Sequence, residues 1–372
     1  MNERQARQNQ ASAFATKKRV YAIVEFVIIC ICLMTAFLLS SPVVSWVDSL
    51  NSFLAAAVYF LIFSSAFFII LFPIQYIKKY VLPKDFGQLK QSFSGWLSSY
   101  IGSVLLVVFL GAVAFGLLHI LIAASVDWWW IWVALMVAVF SLIYSTVFPF
   151  LLPIMYKRHP LPNGSLKDEL NELIVRSKVE IAGIDVLEVS VNQEAANAMV
   201  LGFGKTRRLA FNDTLIDRYN DEEVKVICAH ELGHVKKSHF MKTWFFSLII
   251  IMLVFWLTNV LAGALINLFD AGDVATLSAM PIVVLVFFVV FSLLMIVSNY
   301  YSRHQEKEAD LYSLKMTKTP QAFIAALQKA TDQNLEEETP HPFIEKLVYS
   351  YPSSASRQAL AERYMKESEN EV

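Results

Sequence analysis

The chain has 372 residues, with 31 Lys+Arg against 32 Asp+Glu and a formal net charge of −1. Hydrophobic residues make up 56% and charged residues 17%, against roughly 25% charged in an ordinary soluble domain. This composition excludes a disordered, collagen-like or coiled-coil chain, and the balanced charge excludes a general nucleic-acid binder. The 3 cysteines, Cys30, Cys32 and Cys228, cannot form a disulfide framework.

Six apolar stretches are long enough to cross a bilayer, which takes about 20 residues. They cover residues 20–39, 53–77, 96–123, 128–152, 243–265 and 280–300. The first is read as a span, not a cleaved leader, because its polar lead is long and five more spans follow. Lys17, Lys18 and Arg19 precede it, which places the N-terminus in the cytoplasm. Six crossings return the C-terminus to the same side. The loops assigned outside, 40–52, 124–127 and 266–279, contain no Lys or Arg. The expected organisation is a cytoplasmic N-terminal tail (1–19), four transmembrane helices (20–152), a cytoplasmic segment (153–242), two transmembrane helices (243–300) and a cytoplasmic C-terminal segment (301–372).

Glu25 is the one acidic residue within these spans. It is read as snorkelling toward Lys18 about one turn inside the membrane, and His119 is read in the same way. Trp128, Trp129, Trp130 and Trp132 suit an interfacial aromatic belt.

The first cytoplasmic segment opens with a Pro/Gly linker. Ser165-Leu166-Lys167-Asp168 resembles a capping box, and Leu166, Leu170, Leu173, Ile174 and Ile181 follow at helical spacing until Gly183. Residues 184–191 alternate as a strand. Residues 197–202 and 207–212 form a hairpin pattern around Gly204. Gly204-Lys205-Thr206 fails as a phosphate loop because Met199 stands where its first glycine is required.

The next helix carries the chemistry. Asn220 and Glu223 cap it, and His230-Glu231-Leu232-Gly233-His234 lies within it. Histidines at i and i+4 share one helical face and can bind one zinc. Glu231 stands beside the metal without ligating it and can take a proton from the activated water. A catalytic zinc needs a third protein ligand. The fifth span begins shortly after His234 and the sixth ends shortly before Ser302. An antiparallel pair places His234 and Glu306 about 12 and 9 Å above the membrane ends of their helices, at similar heights. Glu306 and Asp310 share a face, while Glu308 is turned about 200° away. Glu306 is therefore expected as the ligand, Asp310 as the partner that orients a histidine, and Glu308 on a solvated face. His239 is expected to be structural.

The zinc motif, Ser302-Arg303-x-x-Glu306-x-x-Ala309-Asp310, and Asn197-Ala198 ahead of Gly202-Phe203-Gly204-Lys205 resemble the type I CAAX prenyl endopeptidases. These are integral-membrane zinc metalloproteases related to the HtpX-type proteases. The resemblance runs from about residue 96 to 357. It implies a multi-pass α-helical membrane protein with a gluzincin-like cytoplasmic zinc metalloprotease domain carrying a small β-sheet. It also implies one Zn2+ per chain on His230, His234 and Glu306, with Glu231 as general base. Asn197 and Ala198 then hold a peptide substrate as an added β-strand, and Arg357 helps to bind the oxyanion. Two departures stand out. The family usually has seven spans, and its Ser-His-Pro element reads Ser350-Tyr351-Pro352 here. Tyr351 can still donate a hydrogen bond to an oxyanion.

The expected function is a metalloendopeptidase acting on membrane-associated or CAAX-type substrates. Its membrane is the cytoplasmic one in a bacterium or the endoplasmic reticulum in a eukaryote. A quality-control protease of HtpX type is the alternative. A non-catalytic, zinc-regulated transporter is disfavoured, because the spans carry almost no charge and a structural zinc does not require Glu231.

Overall fold

The computed structural model describes residues 3–190 and 194–370, so Val191, expected at a strand end, lies outside them. The first half is helical. Helix α1 (Glu3–Val47) is followed by α2 (Ser52–Tyr76), a π turn (Ile77–Val81) and α3 (Leu82–Asp85) in one continuous rod, then α4 (Phe93–Ala124) and α5 (Trp129–Met155). Asn51 and Ser92 cap α2 and α4 through their side-chain oxygens.

Among the described residues, five helices are long and apolar enough to cross a membrane. They are α1, the α2–α3 rod, α4, and two later helices at His239–Leu268 and Leu277–Thr317. Helix α5 has 27 residues and no charge, about 40 Å of rise against a hydrocarbon core of about 30 Å. Many outward side chains are apolar; Ile69 is 73% and Phe140 68% exposed. Lipid is the medium in which that surface carries no penalty.

The polar groups of this region have partners that the sequence did not suggest. Glu25 pairs with Lys78 of the π turn and accepts from Gln75 Nε2 at 2.5 Å, so it does not reach for Lys18. His119 is buried, with Nε2 2.9 Å from the Ala275 carbonyl. The tryptophan cluster splits. Trp128 and Trp132 face outward, whereas Trp129 is buried and donates to Asn259 Oδ1 at 2.7 Å. Residues 3–19, expected as a tail, are the first turns of α1. They grip the C-terminal part of the chain: Arg4 meets Glu338 at 2.8 Å, Gln8 donates to Asp332 at 2.9 Å and Arg19 meets Glu337 at 2.5 Å.

The segment after α5 builds a small sheet from β1 (Arg158–Pro160), β2 (Gly183–Leu187), β3 (Ala198–Leu201) and β4 (Arg208–Asn212), in spatial order β1-β2-β4-β3. β3 and β4 form the expected antiparallel hairpin, whereas β2 pairs β4 in parallel. Helix α6 (Ser165–Ser177) lies between β1 and β2. It ends earlier than its apolar spacing predicts, because Lys178 adopts left-handed φ 54° and turns the chain. Gly183 therefore opens β2, and Gly164 stands at the N-cap without a side-chain cap.

A single turn, α7 (Asp213–Ile216), leads to α8 (Asp221–Lys236). The expected capping box of α8 is present, Glu223 N to Asn220 Oδ1 at 2.9 Å and Asn220 N to Glu223 Oε2 at 3.0 Å. Ser238, at φ 55°, turns the chain into α9 (His239–Leu268). Then come α10 (Met280–Thr317), α11 (Pro320–Gln333), α12 (Pro342–Val348) and α13 (Ser354–Asn370). Helix α10 is one 38-residue rod whose apolar first half continues into the charged half that crosses α8.

That crossing depends on Gly233. A Cβ there would stand 3.2 Å from both Ala309 Cα and Tyr312 Cβ. Ser313 also donates to the Val226 carbonyl at 2.7 Å, tying the two helices together. Gly233→Ala is expected to cost about 1–3 kcal/mol of overpacking strain and to push Glu306 away from the histidines. Metal content of the purified variant, measured beside its thermal stability, checks this.

Candidate metal centre and cleft

His230 and His234 project from α8 one turn apart, and Glu306 reaches them from α10. Single ligand atoms from the three residues lie within 4.8 Å of one another. The two Nε2 atoms are 3.0 Å apart, and the Glu306 oxygens lie 3.4 Å from His230 Nε2 and 3.5 Å from His234 Nε2. Ligands held at about 2.0–2.1 Å around a tetrahedral ion stand about 3.4 Å apart. The donor set therefore matches a divalent cation of zinc type in number, kind and spread.

Each histidine is backed on its other ring nitrogen. His230 Nδ1 lies 2.9 Å from Asp310 Oδ1, off the line of a straight hydrogen bond. Asp310 is fully buried and takes two hydrogen bonds from Arg357, Nε to Oδ2 at 2.8 Å and Nη2 to Oδ1 at 2.6 Å. His234 Nδ1 lies 3.0 Å from His239 Nδ1, and His239 Nε2 lies 3.1 Å from Glu308 Oε2. If both Nε2 lone pairs face a cation, the remaining protons have one consistent arrangement. His234 Nδ1–H donates to His239, and His239 Nε2–H donates to Glu308.

Burial and charge set the protonation. Burial opposes a charged His230, but Asp310 and Glu306 outweigh it and raise its pKa to about 10. The same two carboxylates would also attract a metal cation, which would displace the proton from the ring nitrogen it binds. Burial and the charge of His230 lower His234 to about 4, so its imidazole is neutral and able to ligate. Burial works against the Asp310 carboxylate, but Arg357 and His230 bring it down to about 2. Burial raises Glu231 to about 7, against the opposing charge of His230.

His230 and His234 line one cavity of about 900 Å³. Glu231, Glu306, Tyr351, Arg357, Asn197 and Ala198 all border it. Asn197 is exposed, with its carbonyl accepting from Asn212 N at 2.9 Å. Tyr351 is 39% exposed. Burial and the Glu336 carboxylate raise its phenol to about 12, so it stays protonated as a donor. Arg357 gives Nε and Nη2 to Asp310, which leaves Nη1 for another partner.

The expected site residues therefore come together. Glu308 and His239 were read differently from the sequence. Glu308 does face away from Glu306, yet it meets His239, which the Ser238 turn folds back behind His234. Glu308→Gln is expected to weaken metal affinity about 10–100-fold, the usual cost of losing a partner that orients a ligating histidine. Competition with a chelator of known affinity checks it; unchanged affinity would return Glu308 to a solvated face.

Membrane-length helices carrying such a histidine–glutamate constellation at one end define an integral-membrane metalloendopeptidase. Residues 160–364 match the sequence profile of Peptidase family M48, and residues 2–157 match that of the CAAX prenyl protease N-terminal region, described as five membrane helices. The chain belongs to Peptidase family M48. Its first 157 residues carry four long helices among those described, one fewer than that description.

The chain is 26% identical over 278 residues to the uncharacterized metalloprotease YhfN of Bacillus subtilis (strain 168), covering 73% of this chain and 63% of that protein. It is 26% identical over 302 residues to CAAX prenyl protease 1 homolog of Oryza sativa subsp. japonica, covering 80% of this chain and 71% of the relative. The crystal structure of S. mikatae Ste24p superposes with TM-score 0.80 at 21% identity, covering 96% of this chain and 88% of that one.

Proposed function

We propose that the protein is a zinc endopeptidase that cleaves membrane-associated peptides, with CAAX-type C-termini as the leading substrate class. The observation that carries this reading is the convergence of His230, His234 and Glu306 beside the non-ligating Glu231 in one open cavity. Several relatives are named CAAX prenyl proteases, which supports the substrate class.

His230, His234 and Glu306 would hold a zinc ion, which when bound would supply Lewis-acid polarisation of a scissile carbonyl and acidification of water. Glu231 takes the proton of the attacking water and returns it to the leaving amine. Arg357, through Nη1, and the Tyr351 hydroxyl donate to the oxygen on which negative charge develops. Asp310 and Glu308 fix the ring orientations of the two histidines, the second through His239. Substrate backbone lies along β3 as an added strand, with Asn197 and Ala198 at its start. The active site and both termini lie on the cytoplasmic side, a placement that rests on the absence of Lys and Arg from loops 40–52, 124–127 and 266–279.

The test is hydrolysis of prenylated and unprenylated C-terminal peptides by the purified protein. Glu231→Gln serves as a control that keeps its metal. Cleavage by both forms, or by neither, overturns the reading. Selective cleavage of unprenylated membrane-protein segments would favour a quality-control role instead.

A further inference from the structure

β3 is the terminal strand of the sheet among the described residues, and its outer edge runs along the cavity. The direction of each residue's backbone groups follows from the ladder. Ala198 stands opposite Phe211, and Asn212 N donates to the Asn197 carbonyl. In an antiparallel pair, residues alternate between bonding their neighbour and pointing away. Asn197, Met199 and Leu201 therefore bond toward β4. Ala196, Ala198 and Val200 point their N–H and C=O groups toward the open edge.

The Ala196 groups are already taken. Ala196 N donates to Asn334 Oδ1 at 3.0 Å, and Asn334 Nδ2 donates to the Ala196 carbonyl at 3.3 Å. The amide side chain thus makes both bonds that a residue of an added strand would make. Asn334 is held firmly. It follows the last turn of α11, its N–H donates to the Ala330 carbonyl at 2.8 Å, and Leu335 beyond it is buried in left-handed φ 54°. Neighbouring groups brace the same lead-in. Gln333 donates to the Glu194 carbonyl at 2.6 Å, and Asn212 and Thr214 donate to the Ala195 carbonyl at 3.1 and 2.7 Å.

The geometry points to Asn334 as a specificity-determining residue that ends the substrate-binding edge at Ala196 and so limits how far a bound peptide extends on that side of the scissile bond. The inference rests on the reading of β3 as the substrate edge. Ala198 and Val200 offer two residues of pairing. A peptide long enough to reach Ala196 meets the Asn334 amide in its path and must stop or turn away.

The experiment uses the full-length protein in detergent and a nested set of peptides. A fixed cleavable sequence is lengthened one residue at a time, on either side separately. The wild type should show KM falling with length on both sides, then reaching a sharp limit on one side only. Asn334→Ala frees the Ala196 N–H and C=O. It should leave short peptides unchanged and lower KM about tenfold for peptides beyond the limit, the net worth of two hydrogen bonds. Asn334→Ser, smaller and still polar, should give an intermediate profile and stands in if the alanine variant is poorly folded. An unchanged length limit overturns the inference. So does a uniform loss over all lengths, which would mean that Asn334 only holds Ala196 in place. The edge reading is tested independently by methylating single backbone nitrogens of a short peptide. No effect at any position removes that reading while leaving the protease assignment intact.

Discussion

Replacing Glu306 by alanine is expected to strip the metal from the purified protein and abolish peptide hydrolysis. The two histidines come from one helix and offer two nitrogens 3.0 Å apart; Glu306 is the one described ligand candidate from a second element. Without it the cation loses a ligand and the only anionic charge among the three. The two histidines that remain are too weak a site for zinc, which takes three protein ligands in its catalytic sites. Folding should survive, because Glu306 borders the cavity and is not buried in the core. Elemental analysis, with peptide cleavage and a thermal melt on the same sample, checks the claim. Retained metal with lost activity would show that Glu306 acts on substrate instead. Glu308→Gln, by contrast, should lose affinity by degrees and recover activity when zinc is added in excess.

The contrast between Glu306 and Glu308 shows where sequence reasoning reaches and where it stops. Glu306 was accessible because its partners obey local rules: 3.6-residue periodicity places both histidines on one face, and two adjacent membrane spans bring α8 and α10 together. The capping box of α8 and the β3–β4 hairpin rest on equally local signals. The His239–Glu308 link depends on Ser238 adopting a left-handed conformation, which a serine does not announce. The early end of α6 depends on Lys178 in the same way. Glu25 was misplaced because its partner, Lys78, belongs to a π turn that moves the side chain off the regular helical register. Asn334 was missed because it follows α11, far in sequence from the strand it blocks. The grip of residues 3–19 on Asp332, Glu337 and Glu338 joins opposite ends of the chain and has no local signature at all.

Asp310→Ala is expected to be the most destabilising single change at the site. The carboxylate is fully buried and carries the paired hydrogen bonds of Arg357, whose side chain is 20% exposed. Removing one member of such a pair leaves the other charge desolvated, at a cost of about 3–5 kcal/mol. The low end applies here, because Arg357 retains some contact with solvent. The loss should also reach the metal, since His230 loses the group beside its Nδ1. A double variant separates the two effects. Asp310→Ala with Arg357→Met removes the orphaned charge, so most of the stability should return while metal affinity stays low. The pH dependence has a definite sign. The folded-state pKa of Asp310 is depressed, so its contribution is present in full above the ordinary aspartate value of 3.8 and fades as pH falls through about 2. The part of the stability gap between wild type and Asp310→Ala that comes from the carboxylate's charge should therefore narrow in that acid window. Thermal melts of both forms across pH, each with and without a chelator, measure it. A gap that persists unchanged below pH 2 would show that Asp310 acts through packing and not through its charge.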